Sequence, residues 1–218
     1  LGQVKNWYAV DVPDVGLRER KKARTRRVIA DAAARLFAER GYEQVAVSDV
    51  AREADVSQQT VYNYFQTKEQ LVTDLDQEFQ DQVCRLIRTR APGTTPAAAI
   101  RDLVLEAVEG IRRVPGEQWR GELGYLAAIS PTVHRLLLEM SDRQAATIAT
   151  AIAETSTVTT ELARLQGIAL AGVFQILISE AGRRTQEGQT QDQIADGLKP
   201  AIAAILDDLD RWLALSKS

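Results

Sequence analysis

The sequence predicts an all-α protein: a small N-terminal unit of about three helices, joined by a long helix to a larger helical body. Three observations carry this reading. From Arg18 onward, apolar residues recur at helical spacing. Alternating Val/Ile/Thr runs and Asn-Gly hairpin dipeptides, the marks of strands, are absent. Pro96, Pro115 and Pro131 fall at or near expected helix starts, where the missing N–H is tolerated. The chain's 218 residues fit one large domain or two small ones and can bury a core without disulfides.

The elements follow in order. Residues 1–16 lack a helical period and read as a tail carrying Trp7, Tyr8, Pro13 and Gly16. Val28, Ile29, Ala32, Ala33, Leu36 and Phe37 then form one apolar stripe, and Gly41 supplies a left-handed stop. A short helix is expected over 47–54, with Val47, Val50, Ala51 and Ala54 inward. Asp55-Val56-Ser57 breaks it, and Ser57 caps a second short helix over 58–64. A longer helix is expected from Lys68 to about Arg90, stopped by Ala91-Pro92-Gly93. Further helices are expected over 96–113, 117–128, 131–154, 158–186 and 191–215. The domain division is a tail at 1–16, a helix-turn-helix unit at 17–67 and a helical body at 68–218.

Composition narrows the function. The hydrophobic fraction of 45% and charged fraction of 26% are those of a globular protein. The net charge of −3 is unevenly spread: residues 17–72 carry 11 basic and 8 acidic side chains, residues 73–218 carry 15 and 20. Seven basic side chains (Arg18, Arg20, Lys21, Lys22, Arg24, Arg26 and Arg27) crowd into residues 18–27 beside the single acid Glu19. A basic stripe on an acidic protein suits polyanion binding at one end. A solvated helix start would look the same, so charge alone does not choose. Neither a leader pattern nor an uncharged run of ~20 residues is found, which predicts a cytoplasmic protein without a membrane partner. With one histidine, His134, and one cysteine, Cys84, no metal cluster or catalytic triad is expected. No cofactor is expected and an enzyme is not; Asp207 and Asp208 read as a solvated face.

The second short helix carries the chemistry. On a wheel of 100° per residue, Val61 and Phe65 point inward. Gln59, Thr60 and Asn63 point outward, flanked by Gln58, Tyr62 and Tyr64. That face holds amides, hydroxyls and phenols with no acid. Gln and Asn match the N6 and N7 of adenine in the major groove, while Thr, Tyr and Lys68 suit phosphate oxygens. An ordinary surface helix in so charged a chain would more often show Glu and Lys.

The stretch Val56-Ser57-Gln58-Gln59-Thr60-Val61-Tyr62-Asn63-Tyr64-Phe65, with Lys68 following, resembles the recognition segment of the TetR family of bacterial transcriptional regulators. Ala34 to Tyr42 is similar to that family's first-helix ending, and Asp49-Val50-Ala51 to its second helix. The resemblance covers residues 24–72. It implies DNA contacts from Ser48, Gln58, Gln59, Thr60, Tyr62, Asn63, Tyr64 and Lys68, and a homodimer on a palindromic operator in double-stranded DNA. Two departures stand out. Ala46 lacks the usual capping hydroxyl, and Asp55 replaces the usual turn glycine.

In the body, residues 168–178 are apolar on every side, which calls for burial on every side. The last helix shows a stripe from Ile194 to Trp212. Leu165, Gly172, Ile202, Ile205, Leu209 and Trp212 are the expected dimer face, as the resemblance implies. It also implies a cavity for a small apolar or aromatic inducer, with Trp119, Tyr125, Met140, Phe174 and Gln175 as candidate walls. The expected function is a ligand-responsive repressor. The alternative is a related DNA-binding protein whose body docks a protein partner.

Overall fold

The computed structural model describes residues 17–73, 76–114, 119, 120 and 122–215; the expected tail at 1–16 lies outside them. Every regular element among them is helical. The N-terminal unit holds α1 (Leu17–Arg40), α2 (Val47–Glu53) and α3 (Gln58–Tyr64). A 3₁₀ turn (Glu69–Leu71) precedes α4 (Asp76–Arg88). The body continues with α5 (Pro96–Gly110), a 3₁₀ turn (Ile111–Arg113), α6 (Leu123–Ile129), α7 (Pro131–Ala153), α8 (Thr160–Gln186) and α9 (Gln191–Leu215).

Local chemistry accounts for most boundaries. Thr95, Ser130 and Thr159 each accept a backbone N–H from three residues on, capping α5, α7 and α8. Pro96 and Pro131 occupy the first turns of α5 and α7. Gly41, at φ 80°, ends α1. Asp55 adopts φ 54° in the turn between α2 and α3, the conformation expected where glycine is usual. Without a hydroxyl at Ala46, α2 is held by its third residue instead: Asp49 Oδ2 accepts the Ala46 N–H at 3.0 Å.

The expected continuous helix from Lys68 to Arg90 is corrected. One 3₁₀ turn comes first, and the α-helix begins at Asp76. Lys68 is drawn back onto the N-terminal unit, which sets the chain direction there. The apolar stripe of α1 also needs one change, since Val28 is exposed while Ile29, Ala32, Ala33, Leu36 and Phe37 are buried.

Two apolar clusters organise the molecule. The body core joins α4, α5, α7, α8 and α9 around Val83, Ile87, Ile100, Ile148, Leu170 and Ile194. Cys84 is one of its small members. The second cluster joins α1, α2 and α3 to the α6–α7 corner, so that Leu126, Ala127, Val133 and Leu137 share one apolar cluster with residues such as Phe37 and Tyr42. The N-terminal unit therefore rests on α6 and α7 as well as following into α4.

Helix α8 exceeds the sequence expectation for apolar length. Its 27 residues, with mean hydropathy 1.6 over the most apolar stretch, would suffice to cross a membrane by length and composition; 44% of that stretch is buried inside the fold. The remainder includes exposed Leu165 (51%), Ile168 (58%) and Ile176 (44%).

Candidate nucleic-acid interface

Helix α3 is seven residues long, too short to persist alone, so its orientation comes from its anchors. Val61 and Phe65 are each 1% exposed in the cluster beneath it. At its start, the Ser57 hydroxyl accepts the Thr60 N–H at 3.0 Å and lies 2.8 Å from the Thr60 hydroxyl. At its end, Arg26 Nη1 donates to the Tyr64 carbonyl at 3.1 Å, and the guanidinium lies 4.7 Å from the centre of the Phe65 ring.

The outward face is as the sequence suggests. Gln58, Gln59, Tyr62 and Asn63 are exposed, and Thr60 is half-buried. Gln59 Nε2 donates to Asn63 Oδ1 at 3.2 Å, so the two amides are aligned one turn apart. No acid lies on this helix. Ser48 is half-buried on α2, and Tyr64 is half-buried against the apolar cluster, with its phenol ring serving packing.

Lys68 is placed differently from a free phosphate ligand. Its ammonium donates to the Tyr42 carbonyl and sits 4.2 Å from the Tyr42 ring centre. Burial lowers its pKa, opposed by the carboxylates of Glu43 and Glu69, which raise it. Beneath it Tyr42 is pushed up to about 12, first by burial and then by the charge of Glu69 and Glu43. Arg26 is likewise turned inward, whereas its neighbours Arg20, Lys21, Lys22, Arg24 and Arg27 are exposed along α1. The sequence assigned Arg26 by charge and Lys68 by its place after the second short helix and by the resemblance. The carbonyls that attract them belong to Tyr42 and Tyr64, and carbonyl direction is not legible in a residue string.

Sequence reasoning also missed the junction with the body. The Ser130 hydroxyl, which caps α7, donates to the Glu43 carboxylate from the α1–α2 loop. That bond is the main cause holding the Glu43 carboxyl below its usual range.

The candidate pocket residues fall in two places. Trp119 and Phe174 belong to the body core, where Trp119 Nε1 donates to Thr185 and Phe174 meets Phe79 edge-on at 4.9 Å. Tyr125 lies at the junction with the N-terminal unit. Met140 is buried on α7, and Gln175 accepts a hydrogen bond from Ser141 at 3.1 Å across α7 and α8. Phe79 was absent from the candidate list, although its spacing with Val83 and Ile87 on α4 marks it as inward-facing.

The dimer candidates also divide. Ile202 is fully buried in its own protomer's core. Ile205, Leu209 and Trp212 are partly buried against that core. Leu165 is exposed, and Gly172 has open space where a side chain would project. Ile168 and Ile176 complete an exposed stripe on α8 at helical spacing with Leu165 and Gly172.

Two short helices on a buried base, the second presenting an acid-free polar face, define a helix-turn-helix DNA-binding domain. Residues 29–75 match the model of the bacterial regulatory proteins of the tetR family. It is 39% identical over 57 residues to the dhaKLM operon transcriptional activator DhaS of Lactococcus lactis, covering 26% of this chain and 30% of that one. It is 28% identical over 121 residues to the transcriptional regulator TcmR of Streptomyces glaucescens, covering 46% of this chain and 54% of that one. The matches thus span about a third to a half of these curated relatives' length. Over the whole fold, the chain resembles the crystal structure of NalD, the secondary repressor of the MexAB-OprM multidrug efflux pump in Pseudomonas aeruginosa. The TM-score is 0.56 at 20% identity, with 88% of this chain and 98% of that one covered, a likeness of fold.

Proposed function

We propose that the protein acts in the cytoplasm as a homodimeric repressor, reading a palindromic operator through α3 and releasing it when a small apolar or aromatic ligand enters the body. The observation that carries the DNA-reading part is the outward face of α3: exposed Gln58, Gln59, Tyr62 and Asn63 on a helix without acids, held rigidly over Val61 and Phe65. Exposed basic residues along α1 supply sequence-independent attraction to phosphate. The exposed stripe of Leu165, Ile168 and Ile176 on α8 supports the two-fold partner, since scattered apolar residues would not align on one helix face.

The test is selection of duplexes from a random pool by the full chain, followed by titration of Asn63→Ala. The expected result is an enriched imperfect palindrome with half-sites roughly 34–36 Å apart, or a multiple of that. Asn63→Ala should cost roughly 1–3 kcal/mol at one base pair in each half-site and nothing on random DNA. No enriched sequence, or equal losses on both duplexes, refutes the reading.

A further inference from the structure

We propose that Arg26 is a positioning residue for α3, setting the angle at which Asn63 meets the base edges, rather than a contact to DNA phosphate. The proposal rests on the DNA-reading role of α3 given above.

Arg26 belongs to the basic stripe of α1 by sequence, yet it leaves that stripe in space. Arg20, Lys21, Lys22, Arg24 and Arg27 are exposed, while Arg26 is half-buried against the end of α3. Its contacts there include Nη1 to the Tyr64 carbonyl at 3.1 Å and the guanidinium over the Phe65 ring at 4.7 Å.

The end of α3 needs such a partner. The last carbonyls of any helix lack intrahelical donors. Helices often meet this need with a left-handed residue that folds the backbone N–H groups back. Phe65 is instead extended, at φ −135° and ψ 103°, so the chain leaves α3 directly. Its own N–H bonds only the Val61 carbonyl. The guanidinium supplies a donor to Tyr64 and places positive charge at the negative end of the helix.

Position follows from this. A seven-residue helix has three ties: the Ser57 cap at its start, Val61 and Phe65 beneath, and Arg26 at its end. Asn63 is the residue next to Tyr64, and its amide is paired with Gln59. Releasing the end of α3 therefore displaces Asn63 more than Gln58, which sits beside the Ser57 cap.

The experiment compares the full-length wild type with Arg26→Gln and Arg26→Lys, on the selected duplex and on a random duplex over a range of salt. Arg26→Gln should lose roughly tenfold in affinity for the selected duplex. Its affinity for random DNA and its slope of log affinity against log salt should not change. Arg26→Lys should recover part of the loss, because an ammonium reaches the carbonyl but cannot lie flat on Phe65. In parallel, amide hydrogen exchange without DNA should quicken at Phe65 and its α3 neighbours in Arg26→Gln, and not at Ile29–Phe37 of α1. Equal losses on both duplexes with the salt slope reduced by about one would identify a phosphate contact and overturn the proposal. So would unchanged exchange in α3, or exchange quickened evenly over α1, α2 and α3. If the wild type enriches no duplex, the proposed function fails, and the exchange measurement alone decides whether Arg26 holds the helix end.

Discussion

Replacing two glycines of α8 by alanine should have opposite effects, because the two positions meet different surroundings. Gly182 faces the backbone of α6 directly. A Cβ there would collide with the carbonyl of Gly124 and lie 2.9 Å from the Tyr125 nitrogen; one on Gly124 would lie 2.6 Å from the Ile178 carbonyl oxygen. These obstacles are backbone atoms, so α6 itself must move, and fully buried Leu126 moves with it. Overpacking of this kind costs roughly 3 kcal/mol. Alanine's better helix propensity offsets about 1 kcal/mol. The net loss of about 2 kcal/mol should lower the melting temperature by about 4–8 °C for a chain of this size. Gly172, on the same helix, has nothing within 4 Å of its would-be Cβ. Alanine there should gain about 1 kcal/mol and raise the melting temperature by about 2–4 °C, measured at a concentration where the protein is monomeric. Thermal unfolding followed by circular dichroism gives both values. If the two variants melt alike, the close crossing of α6 and α8 does not exist as described.

Three further outcomes are expected. Ile168→Arg should leave the protomer folded, because the side chain is 58% exposed, yet give a monomer by sedimentation where the proposed function expects the wild type to sediment as a dimer; an unchanged dimer would place the two-fold contact elsewhere. Glu43 is held below the usual carboxyl range chiefly by the Ser130 hydroxyl, so its contribution is present above the unfolded-state pKa and is lost as pH falls through the folded value. Glu43→Gln should thus destabilise at neutral pH and converge with wild type in acid, and parallel melting curves from neutrality to about pH 3 would refute the contact. A ligand that lowers operator affinity by a factor of roughly 5–150 should itself bind more weakly to the operator complex by the same factor, a reciprocity that calorimetry with and without the duplex checks.

Much of this was legible in the residues, and the parts that were not share a cause. The span of α3 and its Ser57 cap follow from spacing and side-chain chemistry within a few residues. So does the left-handed turn at Asp55. The outward face of α3 follows from helical periodicity once Val61 and Phe65 are turned inward. By contrast, Arg26 looked like a phosphate ligand because its sequence neighbours are basic, and Lys68 because it follows the recognition helix as in the family it resembles; both bind carbonyls brought near by tertiary folding. The burial of Ile202 in its own protomer's core was not legible either, because a stripe on one helix does not say which side of it faces the rest of the fold. Local rules place an element and its faces; they do not say which distant backbone group a long cation will reach.

The same distinction bears on how the body can speak to the DNA-binding unit. Sequence suggested a single connection, one helix running from Lys68 into the body. Among the described residues there are two. One is the chain itself, through the 3₁₀ turn and α4. The other is the α6–α7 corner, where Leu126 and Val133 are fully buried beside the N-terminal core and Ser130 bonds Glu43. That corner meets α8 through backbone contacts at Gly124 and Gly182, with no side chain between to absorb a shift. Packed interiors deform little before they rearrange. A displacement of α8 near Ile178 therefore moves α6, and α6 carries the surface on which α1 and the α1–α2 loop rest. Any ligand that separates the two states by differential affinity has this contact to work through, and Glu43→Gln should weaken the ligand's effect on DNA more than it weakens ligand binding.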